Sequence, residues 1–237
     1  MAEPVIKPVE TVVDPAPQTQ TGDEPPTPPV DAVALSALIA SRLCHDLVNP
    51  VGALGSGLEV LEDQGMDDGM RDAAIDLIRT GGRKSVALLK YGRLAYGAAG
   101  GRGAEIPMEE AGAIMAELFT WTKADLEWAL PDGHALKEVV KTVMIMTYCA
   151  ADCVPRGGVV KVHVDGARYL VEAVGPRALL QDDLAAALVG DATDMKAKFA
   201  PAYVASLLTR EAAGSAKAYR VDAEKVVLEA VFPSLAG

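Results

Sequence analysis

From about Asp31 to Gln64 apolar residues recur at steps of three and four, the spacing of one face of a long helix. Leu43, Leu47, Val51, Leu54, Leu58 and Leu61 form that apolar stripe, and Ser41, His45, Asn49, Gly52 and Ser56 fall on a second, small and polar one. Gly65-Met66-Asp67-Asp68-Gly69 reads as a turn whose acids cap the next helix. That helix is predicted from about Met70 to Tyr96, carrying Ile75, Ile78, Val86, Leu89 and Tyr96 inward, with Gly81-Gly82 allowing close helix approach or a bend. A hairpin of two such helices buries only part of its apolar faces, so the pattern predicts a twofold dimer with a four-helix bundle. His45 then stands twice on its outside.

Gly97 to Gly103 has the composition of a linker, which sets 31–97 as a helical hairpin, 98–104 as a Gly-rich linker and 105–237 as a second domain. Within that domain the patterns predict helices at about Met108–Phe119, Ala135–Ala151, Leu180–Leu188 and Pro201–Ala213. Strands are predicted at Asp125–Leu130, Val159–Val164, Tyr169–Val174, Ala218–Val221 and Val226–Phe232, with a β-turn at Asp165-Gly166. Mixed strands with helices on one face make an α/β sandwich, so the whole chain is α+β.

Composition adds bounds. Residues 1–30 hold eight of the fifteen prolines, amid Thr, Gln, Asp and Glu, and cannot bury enough apolar surface to offset their ordering entropy; a disordered tail is expected there. The formal charge of −11 argues against a nucleic-acid partner, since phosphate binding needs clustered Lys and Arg. No apolar run reaches membrane-spanning length and no basic-then-apolar leader opens the chain, so no membrane partner is expected and a cytoplasmic location is. Cys44, Cys149 and Cys153 suit neither a disulfide framework nor a tetrahedral metal site. Cys149 and Cys153 read as small buried hydrophobes, Met144 and Met146 as core, and His134 and His163 as structural.

Candidate chemistry centres on His45-Asp46-Leu47-Val48-Asn49-Pro50. A histidine turned away from the core beside an acid can be oriented or made more basic by it. Pro50 has no N–H, so the Asp46 carbonyl loses its helical partner and a bend is expected just past the histidine. Asn49 lies one turn on, placed to shape the site or hydrogen-bond within it.

These six residues resemble the phosphoacceptor box of dimeric sensor histidine kinases. With the hairpin, the linker and the sandwich, everything after about Val30 resembles the ChpT-type histidine phosphotransferases of alphaproteobacterial phosphorelays. The second domain is similar to the ATP-binding domain of histidine kinases and of the gyrase and Hsp90 proteins: Pro155-Arg-Gly-Gly-Val-Val-Lys-Val162 looks like the turn and strand after the kinases' asparagine box. The nucleotide-holding residues depart from that pattern. Ile145 and Cys149 stand where two asparagines belong, and neither supplies a hard oxygen ligand. Ala173, Gly175 and Arg177 replace the Asp-x-Gly-x-Gly box, and Ala200-Pro201-Ala202-Tyr203 the glycine-rich phosphate loop. Three contacts missing from one retained scaffold imply a degenerate domain without nucleotide and no cofactor of the chain's own.

The resemblance implies a relay. His45 takes a phosphoryl group from the receiver-domain Asp of a CckA-like hybrid histidine kinase and passes it to response regulators, CtrA-like and CpdR-like, in cell-cycle control. Asp46 and Asn49 assist, the partner receiver brings the Mg, and the chain works as a homodimer. The sequence is also compatible with two other function classes: a divergent autophosphorylating kinase or receiver phosphatase, and a non-catalytic adaptor that docks receivers.

Overall fold

The computed structural model describes residues 30–63, 65, 67–98, 100–101 and 103–233. The segment expected to be a disordered tail therefore lies, apart from Val30, outside the described residues. Helix α1 (Ala32–Glu62) starts where the Asp31 side chain accepts hydrogen bonds from the Val33 and Ala34 N–H groups at 2.8 and 3.0 Å. Helix α2 (Asp68–Tyr96) starts at Asp67, whose side chain accepts from the Met70 N–H at 2.8 Å. Helix α1 runs unbroken through Pro50.

The seam between α1 and α2 is built from small residues. A Cβ on Gly81 would lie 2.5 Å from the Pro50 carbonyl oxygen, and one on Gly57 would lie 2.6 Å from Ile78 Cγ1. Ala74, Gly81, Ser85 and Leu88 are buried along that line of α2. This corrects part of the expected inward face: Ile78 and Tyr96 are partly buried, but Ile75, Val86 and Leu89 are 37%, 48% and 58% exposed in the single chain. The glycine that lets the backbones approach must sit on the seam itself, which turns the bulkier residues one position on toward the outside. Val51 and Leu58, assigned to the apolar stripe of α1, are exposed as well, while Leu43, Leu47, Leu54 and Leu61 are half-buried.

Beyond the linker come β1 (Glu105–Pro107), α3 (Met108–Phe119), β2 (Ala124–Ala129), β3 (His134–Leu136) and α4 (Lys137–Ala151). Strands β4 (Gly158–Asp165) and β5 (Arg168–Val174), helices α5 (Asp182–Leu188) and α6 (Ala200–Glu211), and strands β6 (Ser215–Arg220) and β7 (Lys225–Val231) complete the chain. Five strands form a mixed sheet in the order β2-β4-β5-β7-β6, with β2 parallel to β4 and the other pairs antiparallel. The chain is thus α+β, a helical hairpin followed by an α/β sandwich. The β1/β3 pair was not expected. It takes Ala135 out of α4 by pairing it with Ile106, and three-residue strands are too short to show an alternating pattern.

One sheet face is dry: Val160, Val162, Val171, Ala173, Leu228 and Ala230 are fully buried, as are Val139, Val143, Met144, Met146 and Tyr203 on α4 and α6. The other face carries ion pairs, Glu127–Lys161 at 3.0 Å, Glu172–Lys225 at 2.8 Å and Glu229–Arg168 at 3.0 Å. Leu88, Tyr91 and Ala95 of α2 belong to the same apolar core as the sandwich. Tyr91 packs on Tyr148 of α4 with ring centroids 4.9 Å apart, so packed rings set the place of the hairpin against the sandwich. No helix among the described residues is long and apolar enough to cross a membrane.

Candidate functional site

His45 projects from the outer side of α1, its side chain 79% exposed. Its Nδ1 lies 3.3 Å from Asp46 Oδ1, so the acid one residue on does reach the ring. The other carboxylate oxygen, Oδ2, accepts a hydrogen bond from Arg42 Nε at 2.9 Å. Arg42 and Asp46 are one helical turn apart, the spacing at which opposite charges meet on a helix. Asp46 is only 13% exposed although its neighbour His45 is open to solvent.

The far end of Arg42 leaves the hairpin. Its second terminal nitrogen stands 4.0 Å from Asp152 Oδ2, and the guanidinium lies over the Tyr148 ring, 5.9 Å from the centroid. Burial disfavours the Arg42 cation, but Asp46 and Asp152 outweigh it and its pKa is raised; the group is a permanent cation. Burial, assisted by the Asp46 charge, pushes the Tyr148 hydroxyl up to about 12, so that side chain stays neutral. Tyr148 and Asp152 reach this place because α4 ends at Ala151, leaving the two one turn apart beside α1.

Together these residues bound a groove of about 510 Å³ between hairpin and sandwich. Ser41, Arg42, His45 and Asp46 form one wall, Tyr148 and Asp152 the other, and Ala197 and Lys198, just ahead of α6, the end. Lys198 Nζ donates to Gln181 Oε1 at 3.0 Å. Of the residues singled out in the sequence, His45 and Asp46 come together here. Asn49 is exposed one turn further along α1, outside the groove lining, and makes no side-chain hydrogen bond among the described residues. Arg42, Tyr148, Asp152 and Lys198 were missed. The four-residue spacing of Arg42 and Asp46 was a usable signal; the contacts from the sandwich leave none in the chain.

Most of the positions matched to nucleotide contacts are packed with side chains, whereas Arg177 is exposed. Ile145 is fully buried in α4, Ala173 is buried in β5, and Ala200, Pro201, Ala202 and Tyr203 are the buried first turn of α6. A Cβ on Gly175 would lie 2.5 Å from the Gly157 carbonyl, so its glycine serves a close backbone approach between two loops. The cleft lined by Cys149, Asp152, Leu184, Phe199 and Pro201 encloses about 10 Å³, room for one water. Burial pushes the Cys149 and Cys153 thiols up to about 12, which leaves them protonated; Cys44 is exposed. Among the described residues no cluster of three His, Cys, Asp or Glu is placed to hold a metal ion.

An exposed histidine on a helical hairpin thus stands beside an α/β sandwich, within reach of its side chains. Residues 108–224 match the family model for the histidine phosphotransferase C-terminal domain. The protein phosphotransferase ChpT of Brucella abortus (strain 2308) is 34% identical over 150 residues, covering 62% of this chain and 70% of that protein. The solved structure of a bacterial phosphotransferase superposes with a TM-score of 0.73 at 28% identity, over 85% of this chain and 97% of that one. The chain belongs to the ChpT-type histidine phosphotransferase family.

Proposed function

We propose that the chain is a relay in which His45 receives a phosphoryl group from the Asp of a receiver domain, that of a CckA-like hybrid histidine kinase, and gives it to the Asp of CtrA-like or CpdR-like response regulators. The observation that carries this reading is the His45 ring: Nδ1 faces Asp46, and the exposed side stands on a groove open to a partner. Donation from Nδ1–H to Asp46 places the ring's lone pair on Nε2.

The step then balances simply. The Nε2 lone pair forms the N–P bond, the O–P bond of the aspartyl phosphate breaks, and its electrons leave with the receiver's carboxylate. Nδ1 keeps its proton, so the phosphorylated ring carries a positive charge that Asp46 faces at 3.3 Å. The return step to a second receiver reverses each of these changes. Magnesium on the receiver supplies charge neutralisation at the phosphoryl group, and this chain supplies the nucleophile, its orientation and the docking groove.

The apolar residues left outside the hairpin seam support a homodimer. Val48, Val51 and Leu58 on α1, and Ile75, Val86 and Leu89 on α2, are the surface a second copy would cover in a four-helix bundle. The side-chain packing at Ile145, Cys149 and Ala200–Tyr203 supports a sandwich that works without ATP.

The test is a split incubation of the full chain, one half with labelled ATP and magnesium, the other with a labelled phosphorylated receiver. Label is expected only from the receiver, within seconds to minutes. Label taken directly from ATP would make the chain a kinase, and label from neither would leave a docking adaptor.

A further inference from the structure

We infer that Arg42 is a positioning residue for phosphoryl transfer, and that the sandwich holds it in place through Asp152 and Tyr148. The inference rests on the reading of His45 as phosphoacceptor and adds what sets the reactive nitrogen.

Adjacent residues on a helix point about 100° apart, so a carboxylate at 46 meets a ring at 45 only if its side chain is turned and kept there. Arg42 keeps it. By donating from Nε to Oδ2 at 2.9 Å it leaves Oδ1 for the ring, 3.3 Å away. An arginine has many rotamers of its own, and this one is confined along its length by the Tyr148 ring beneath the guanidinium and Asp152 4.0 Å beyond its end. Tyr148 in turn is packed on buried Tyr91, whose hydroxyl meets that of Tyr96 at 3.0 Å. A continuous series of contacts thus runs from the shared core to Nδ1 of His45. The charged and titratable groups around the ring are Asp46 and Arg42 on α1, Tyr148 and Asp152 at the end of α4, and Lys198 before α6.

The consequence is chemical. With Asp46 held, the proton stays on Nδ1 and Nε2 is the only nucleophile. With Asp46 released, the ring samples both tautomers, and attack through Nδ1, with the proton on Nε2, competes. The bonds made and broken are otherwise the same. A residue that merely ties the two layers together changes stability; it does not change which nitrogen is phosphorylated.

The experiment uses the full chain as wild type, Arg42→Gln, Asp152→Asn and Asp46→Asn. Each is treated with phosphoramidate, a small donor whose P–N bond breaks to release ammonia, and the phosphohistidine isomers are resolved by phosphorus NMR. Uptake from a phosphorylated receiver is timed in parallel, beside thermal unfolding. Wild type is expected to give one isomer, at Nε2. Arg42→Gln and Asp152→Asn are expected to give both isomers, and uptake from the receiver is expected to slow by up to about a hundredfold, the cost of an ångström of misplacement. Asp152 is half-exposed, so its variant keeps the test open if Arg42→Gln fails to fold. A single Nε2 isomer in both variants overturns the inference, even where their unfolding temperatures drop. Wild type that is labelled by phosphoramidate but by no receiver overturns the relay reading instead.

Discussion

His45→Ala is expected to lose label from a phosphorylated receiver down to background. Removing a covalent nucleophile has cost on the order of a millionfold in other enzymes, where groups act as a unit. Cys44 lies beside His45 but outside the groove lining, the groove hydroxyl of Tyr148 is pushed up to about 12, and Lys198 Nζ is engaged by Gln181 Oε1. The fold, in contrast, is expected to be untouched. The ring is 79% exposed and its one hydrogen-bond partner among the described residues is Asp46, so the change in stability falls within about 0.5 kcal/mol, as for other surface sites. Autoradiography and thermal unfolding of the same samples check both halves. Retained label would place the acceptor elsewhere, and a collapsed melting curve would make His45 a structural residue.

The largest effect on stability is expected at Gly81. Any Cβ there meets the Pro50 carbonyl at 2.5 Å, with Leu54 Cδ2 at 3.2 Å and Ala53 Cβ at 3.3 Å behind it. The first obstacle is backbone in the middle of a long helix, so relief requires the two helices to separate. Gly81→Val is expected to cost about 2–3 kcal/mol through overpacking. For a chain of this size that lowers the unfolding midpoint by roughly 5–10 °C. Gly81→Ala meets the same oxygen but gains about 1 kcal/mol in helix propensity, so its loss is smaller. Gly57→Ala is expected to matter less again, because its nearest obstacle is the Ile78 side chain and the backbone oxygen it meets, that of Ala74, is further off at 3.0 Å. Melting at matched protein concentration checks the order, and an unchanged midpoint in Gly81→Val would mean that the hairpin is not closed as described. Since α1 also presents His45, separating the helices is expected to slow transfer as well.

The hairpin, the sandwich and the outward placement of His45 are legible in the sequence because each is written in local pattern. Helical spacing brought out α1 and α2 and put His45 on an outer stripe, and runs such as Gly158–Asp165 and Lys225–Val231 are β-branched enough to read as buried strands. What stayed illegible is non-local. Gly81 and Ile78 do meet α1 as their positions suggest, but Ile75, Val86 and Leu89 do not, because bulky residues dominate a periodicity count whereas the contact is centred on Gly81. The β1/β3 pair depends on a partner about thirty residues away, and neither segment is long enough to alternate. The same holds at the site. Arg42 was within reach of helix spacing, but Tyr148, Asp152 and Lys198 join His45 only because the sandwich folds back on the hairpin, and that packing is carried by the Tyr91–Tyr148 contact.

The relay through His45 is tested most directly by a rapid-quench time course with three components: a labelled phosphorylated donor receiver, this chain, and an unlabelled acceptor receiver. Acid-labile label is expected to rise on His45 first, then to fall as label rises on the acceptor, and the acceptor is expected to stay dark when the chain is left out. Label reaching the acceptor at the same rate with no passage through His45 would contradict it.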